Sequence, residues 1–97
     1  MTEFFLSPIA EQDIDGIVSY IAEENPVVAM DLLDKLYAAM EMLAANSLIG
    51  HKREDITDKA VRFWTVKWHY LIVYKDSSPI EIVRVLSGYR DITRLLS

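Results

Sequence analysis

The stretch LSPIAEQDIDGIVSYIAEENPVVAMDLLDKL, Leu6 to Leu36, carries the same start signal twice. Ser7 before Pro8 and Asn25 before Pro26 each set a side-chain acceptor ahead of a proline. Such an acceptor takes an otherwise unbonded N–H of a helix's first turn, and proline at the first helical position has no N–H to lose. Between the two signals Ile14, Ile17, Val18 and Ile21 recur at i, i+3, i+4 and i+7, with Glu11, Asp13, Asp15, Ser19 and Glu23 largely opposite them. The spacing predicts an amphipathic helix ending near Glu24. After Pro26, a second stripe is expected from Leu33, Leu36, Tyr37, Met40, Leu43 and Ala44. Two helices joined by so few residues must fold back on each other as a hairpin.

The flanks of this hairpin read as strands. TEFFLS, residues 2–7, has the aromatic and aliphatic content of a short strand that hands over to the first helix at Ser7. Downstream, three runs rich in β-branched and aromatic residues follow: VRFWTV (61–66), HYLIVYK (69–75) and IEIVRVLS (80–87). Lys67-Trp68 and Asp76-Ser77-Ser78-Pro79 supply hairpin turns between them. Residues 46–60, NSLIGHKREDITDKA, lose the periodicity and read as a long connection, with Gly50 as its turn and Ile49 and Ile56 as its anchors. A short helix over 91–96 can close the chain. The order β-α-α-β-β-β predicts an α+β fold in which the helical hairpin packs on one face of a mainly antiparallel sheet. The other face is expected to be left to solvent or a partner.

Bulk properties narrow the class of function. Ninety-seven residues, 52% of them hydrophobic, suit one domain spanning 1–97 with a single core. No apolar run reaches the roughly 18 residues of a membrane span, and MTEFFLSPIAEQD lacks the basic start and long apolar stretch of a secretory signal, so a cytoplasmic protein is expected. The absence of cysteine agrees with that and removes thiolate chemistry and cysteine-based zinc sites. A net charge of −5 argues against holding nucleic acid by bulk electrostatics. The charge is uneven: residues 1–50 carry nine acids and one base, whereas 51–97 carry six acids and nine bases. An acidic helical half is ordinary solubility; a mildly basic second half is where a functional surface is sought.

Two-residue alternation sorts the strand residues by face. Arg62, Trp64 and Val66 share one side of the first run, with Val61, Phe63 and Thr65 on the other. Tyr70, Ile72 and Tyr74 oppose Leu71 and Val73, and Ile80, Ile82, Arg84 and Leu86 oppose Glu81, Val83 and Val85. An open face showing Arg62, Trp64, tyrosines and Arg84 can grip an extended peptide or a nucleic acid; equally, the aromatics can be half-buried cover and the arginines can pair with Glu81 and Asp91. His51 and His69 have no spacing that implies a metal, no serine sits in a nucleophile elbow, and three scattered glycines cannot cradle a phosphate, so neither metal nor cofactor is expected. One catalytic route stays open. Cleavage of RNA through its own 2′-hydroxyl needs only a proton acceptor and cations, which Lys52, Arg53, Lys59, Arg62, Lys67, Arg84 and Arg90 can supply.

The segment quoted at the outset, with VRFWTV, YLIVYK and the ending EIVRVLSGYRDI, resembles the ParE branch of the RelE/ParE toxin superfamily, the plasmid-stabilisation toxins, over nearly the whole chain. Ser87 stands where that family usually places a histidine before the glycine. The resemblance implies the toxin of a two-gene type II toxin–antitoxin module, neutralised by a ParD-like antitoxin whose flexible tail wraps it. ParE-like members poison DNA gyrase without catalysis, and RelE-like members cleave mRNA on the ribosome. On the gyrase reading the contacts with target or partner are expected from Arg62, Trp64, Arg84, Tyr89, Arg90 and Asp91. On the RNA-cleaving reading Arg62, Arg84 and Tyr89 would stand around the scissile phosphate. A diverged chain that only binds its antitoxin is a third reading.

Overall fold

The computed structural model describes residues 3–53, 60–67 and 69–88. Within them the chain runs β1 (Phe4–Leu6), α1 (Pro8–Ala22), α2 (Pro26–Ala45), β2 (Arg62–Val66), β3 (Tyr70–Lys75) and β4 (Ile80–Ser87). This is the expected order. Ile56, Trp68 and the closing helix expected over 91–96 lie outside the described residues. Both helix starts form as the capping argument requires. The Ser7 side chain accepts from the Ala10 N–H at 3.0 Å, and Asn25 Oδ1 accepts from the Val28 N–H at 3.2 Å.

The sheet order is β1-β4-β3-β2, with β1 parallel to β4 and the other pairs antiparallel. A parallel pair cannot be joined by a tight turn, and here the connection begins with the helical hairpin. α1 buries Ala10 and Ile14 against the sheet, and α2 buries Ala29, Leu32, Leu36, Met40 and Leu43. At 100° per residue those five α2 positions fall within one narrow arc, with Leu33 and Ala44 on its border. Tyr37 lies beyond that border. Expected in the stripe, it is 39% exposed and tilts against Phe4 of β1 instead.

Alternation sorts β2 and β3 as expected but assigns the sorted sets to the opposite faces. Trp64, Val66, Tyr70, Ile72, Tyr74, Ile80 and Ile82 belong to the core under the helices. The far face holds a second cluster of buried residues, Val61, Phe63, Leu71, Val73 and Leu86. Of the two readings, the open face bearing Trp64 and the tyrosines is overturned and that of aromatics as cover for the sheet holds: both faces are apolar, with Trp64, Tyr70 and Tyr74 on the helix-covered one and Phe63 on the other. β4 also breaks the alternation. Val73 stands opposite Arg84 while Tyr74 stands opposite Ile82, so Val83 is an extra residue in β4. One inserted residue inverts a period of two, which turns Val85 to the helix side and Leu86 to the far side, the reverse of the expectation.

The bulge is held from α1. β1 pairs with β4 only through Ile82, after which Ser7 donates its N–H to the Ile82 carbonyl at 2.9 Å and its hydroxyl to the Val83 carbonyl at 2.9 Å. One turn into α1, Asp13 accepts the Val85 N–H at 3.0 Å and grips the Arg84 guanidinium with both oxygens, at 2.8 and 3.0 Å. The carboxylate holds the Arg84 pKa above the usual guanidinium range, with a smaller opposing effect of burial. The two side chains are 21% and 14% exposed, well short of a freely solvated pair. Asp13→Ala removes three hydrogen bonds and orphans a strand N–H, and should cost about 2–4 kcal/mol in urea unfolding. Asp13→Asn keeps an acceptor for Val85 and should cost less; equal losses for the two variants would mean that the Val85 bond contributes nothing.

Candidate functional site

The chain leaving α2 is fastened to the sheet by two side chains. Asn46 accepts the Ile49 N–H at 3.2 Å, closing a turn over Ser47 and Leu48. The Tyr74 hydroxyl, on a wholly buried ring, donates to the Ser47 carbonyl at 2.8 Å and accepts the Gly50 N–H at 2.9 Å. Arg62 bonds the Leu48 and Gly50 carbonyls through Nη1, at 3.2 and 2.9 Å, and the Asp76 carboxylate through Nε at 2.7 Å. His51 then exchanges both backbone bonds with Phe63 at 2.8 Å. The chain from Asn46 to His51 thus has its polar backbone tied down. A Cβ on Gly50 would overlap the Tyr74 hydroxyl, with ring atoms at 2.7 and 2.8 Å behind it, which is why only glycine fits.

This arrangement replaces the expected anchoring of the loop. Ile49 is 42% exposed and Leu48 69% exposed, so neither anchors anything; the sheet grips the backbone between them. His51 and Trp64 lie with rings parallel to within 9° and centroids 6.5 Å apart, Trp64 half-buried and His51 exposed. Burial pushes the Tyr74 phenol above its ordinary pKa, against the opposing pull of the Gly50 N–H and of Arg62. Across the hairpin, Lys67, at a positive φ of 52°, and Lys35 both bond Asp31, at 2.7 and 3.0 Å, and hold its carboxyl below the usual range.

Of the residues the sequence singled out, Arg62 and Trp64 lie together beside the 46–51 loop, and Arg84 is bound to Asp13 on α1. Tyr89, Arg90 and Asp91 lie outside the described residues. Asp13 and Asp76, the partners of the two arginines, were missed because their pairings join segments 71 and 14 residues apart. Gly50 was visible as a turn but not as the seat of a phenol. An open cleft of about 340 Å³ lies between the end of α2 and the β3–β4 connection, lined by Glu3, Ser47 and Asp76 among others. Its lining holds the carboxylates Glu3 and Asp76 but no histidine, lysine or arginine, so among the described residues it offers no cation to a phosphate. Among the described residues no group of three histidines, cysteines or carboxylates could hold a metal ion, and no helix is long and apolar enough to cross a membrane.

Residues 4–92 match the family model described as the ParE toxin of type II toxin–antitoxin systems, parDE. Among solved structures, a chain of the chromosomal ParDE toxin–antitoxin system from P. aeruginosa superposes with a TM-score of 0.75 at 19% identity, covering 92% of this chain and 98% of that one. At that identity the likeness speaks for the fold. No curated protein sequence matches.

Two outcomes follow from the Gly50–Tyr74 contact. Gly50→Ala should destabilise the protein by roughly 1–3 kcal/mol, and adding Tyr74→Phe should recover only part of that, because the ring atoms stay in the way. Alkaline difference spectroscopy at the tyrosine band should show one phenol titrating later than the others and missing from Tyr74→Phe. Because the folded pKa is raised, the stability tied to this phenol is whole below the ordinary value of 10.0 and declines as pH climbs from there through the folded value. A wild-type titration with no late phenol would contradict the burial.

Proposed function

The chain belongs to the ParE toxins of type II toxin–antitoxin systems, and from that premise we propose that it is a cytoplasmic toxin that binds and inhibits DNA gyrase. It acts as an inhibitory binding protein rather than an enzyme, within a plasmid-stabilisation type of module. Its antitoxin is ParD-like, with a tail that orders itself on the toxin's surface; such coupled folding covers a large area while leaving the free tail open to proteolysis.

The observation that carries this reading over RNA cleavage is the condition of Arg62 and Arg84. An RNA-cleaving site must present cations to a phosphate that gains charge in the transition state. Both arginines are instead bound within the protein, Arg62 to Asp76 and two carbonyls, Arg84 to both oxygens of Asp13. Recruiting either one to RNA means breaking an ion pair, and in the case of Arg62 also releasing the Leu48 and Gly50 carbonyls. Contacts with target or partner then fall to Trp64, Tyr89, Arg90 and Asp91, and Arg62 and Arg84 act as internal supports of the fold.

Expression without antitoxin, followed by labelled thymidine and labelled methionine uptake over the first minutes, separates the two readings. DNA synthesis should fail first, with induction of an SOS reporter. The purified chain should inhibit supercoiling by gyrase, and unaltered gyrase at micromolar excess of toxin would count against it. Early loss of methionine incorporation would favour RNA cleavage instead. On the gyrase reading, Arg62→Ala and Arg84→Ala should lower thermal stability in step with toxicity. On the RNA reading they should abolish transcript cleavage in a fully stable fold.

A further inference from the structure

The connection after α2 combines two properties that do not ordinarily go together. Its backbone is held by a buried phenol, a paired arginine and a two-bond bridge to β2. Loops fixed this firmly normally bury their apolar side chains, since burial is what repays the ordering of the chain. Here Leu48 is 69% and Ile49 42% exposed, and neither side chain is needed for the fastening, which runs through the carbonyls and N–H groups of this loop. His51 is also exposed, its ring parallel to that of the half-buried Trp64. Lys52, likewise exposed, follows at once. Apolar side chains presented on a backbone already ordered lose little further entropy on docking, the condition that makes a few residues dominate an interface.

We propose that Leu48, Ile49 and His51, displayed on the loop that Arg62 and Tyr74 hold rigid, form with Trp64 of β2 beside His51 the surface by which this toxin docks on its protein target. The inference rests on the reading of the chain as a toxin that acts by binding a protein, and does not depend on that protein being gyrase. The occupant is defined by charge. The α1–α2 layer is acidic and apolar on its exposed side, with Glu11, Asp15, Glu23, Glu24, Asp34 and Glu41 all exposed, and would repel an acidic partner. The 48–52 loop is apolar and flanked by a basic residue, and suits a target segment that mixes apolar side chains with carboxylates. The two surfaces would then serve different partners.

The test uses Leu48→Asp with Ile49→Asp, charges placed in the proposed contact at positions the fold does not bury. Leu48→Met serves as the conservative control. Colony formation after induction reads toxicity; circular dichroism melting reads the fold; calorimetry with a cognate ParD-like antitoxin reads the other surface. The double variant should melt as the wild type does, bind antitoxin unchanged, and lose toxicity as a drop of at least about tenfold in target affinity would cause. Leu48→Met should kill as the wild type does. A folded double variant that remains fully toxic overturns the proposal. So does loss of antitoxin binding, alone or together with toxicity, because the surface would then belong to the antitoxin. If the wild type arrests growth while leaving gyrase active, the gyrase reading fails and this test still decides the surface.

Discussion

The carboxylate of Asp13 is the constraint on which the two layers of this protein depend. β1 is three residues long and its pairing with β4 stops at Ile82, so the sheet alone cannot fix where the helical hairpin lies. Beyond that point no strand among the described residues pairs with this edge of β4, and open edges are liabilities that proteins cover. α1 covers this one with polar groups rather than another strand. Ser7 caps its own helix while donating to Val83, and Asp13 receives Val85 and Arg84. A bulge, a helix start and a strand edge are thus satisfied by two side chains on consecutive turns.

The far end of the hairpin repeats the logic with different chemistry. Tyr74 and Arg62 stand opposite each other on β3 and β2 and both reach the chain emerging from α2, the phenol serving as donor and acceptor, the guanidinium as donor to two carbonyls and a carboxylate. Charged residues near the sheet therefore act chiefly as internal fasteners. Among the described residues, Arg62 is committed to a carboxylate and two carbonyls and Arg84 to a carboxylate.

What could be read from the sequence was whatever repeats locally. Ser7-Pro8 and Asn25-Pro26 mark the helix starts, and the alternation in RFWTV and YLIVYK separates the two faces of β2 and β3. Which set faces the helices could not be read, because both are apolar and the choice is made by packing. Nor could Val83, since a bulge leaves no mark when Val, Arg and Val are all acceptable strand residues. Tyr37 was placed a little too far inward because a stripe of six apolar positions is wider than the arc α2 buries. The loop after α2 is hard to read for a related reason. Ile49 looked like an anchor by hydrophobicity, whereas the anchoring passes through main-chain groups that carry no sequence signal beyond Gly50.

The bulge at Val83 has a meaning for how this chain can vary. A strand is a counting device with only two states, and one extra residue changes the state of everything after it. Val85, Leu86 and Ser87 owe their present orientation to that single insertion, and β4 ends at Ser87, next to Gly88 at a φ of +86°. Substitutions along β4 can be absorbed one at a time, whereas a deletion of one residue there would invert the strand's second half and withdraw Val85 from Asp13. Length in β4 is therefore a stricter inheritance than identity.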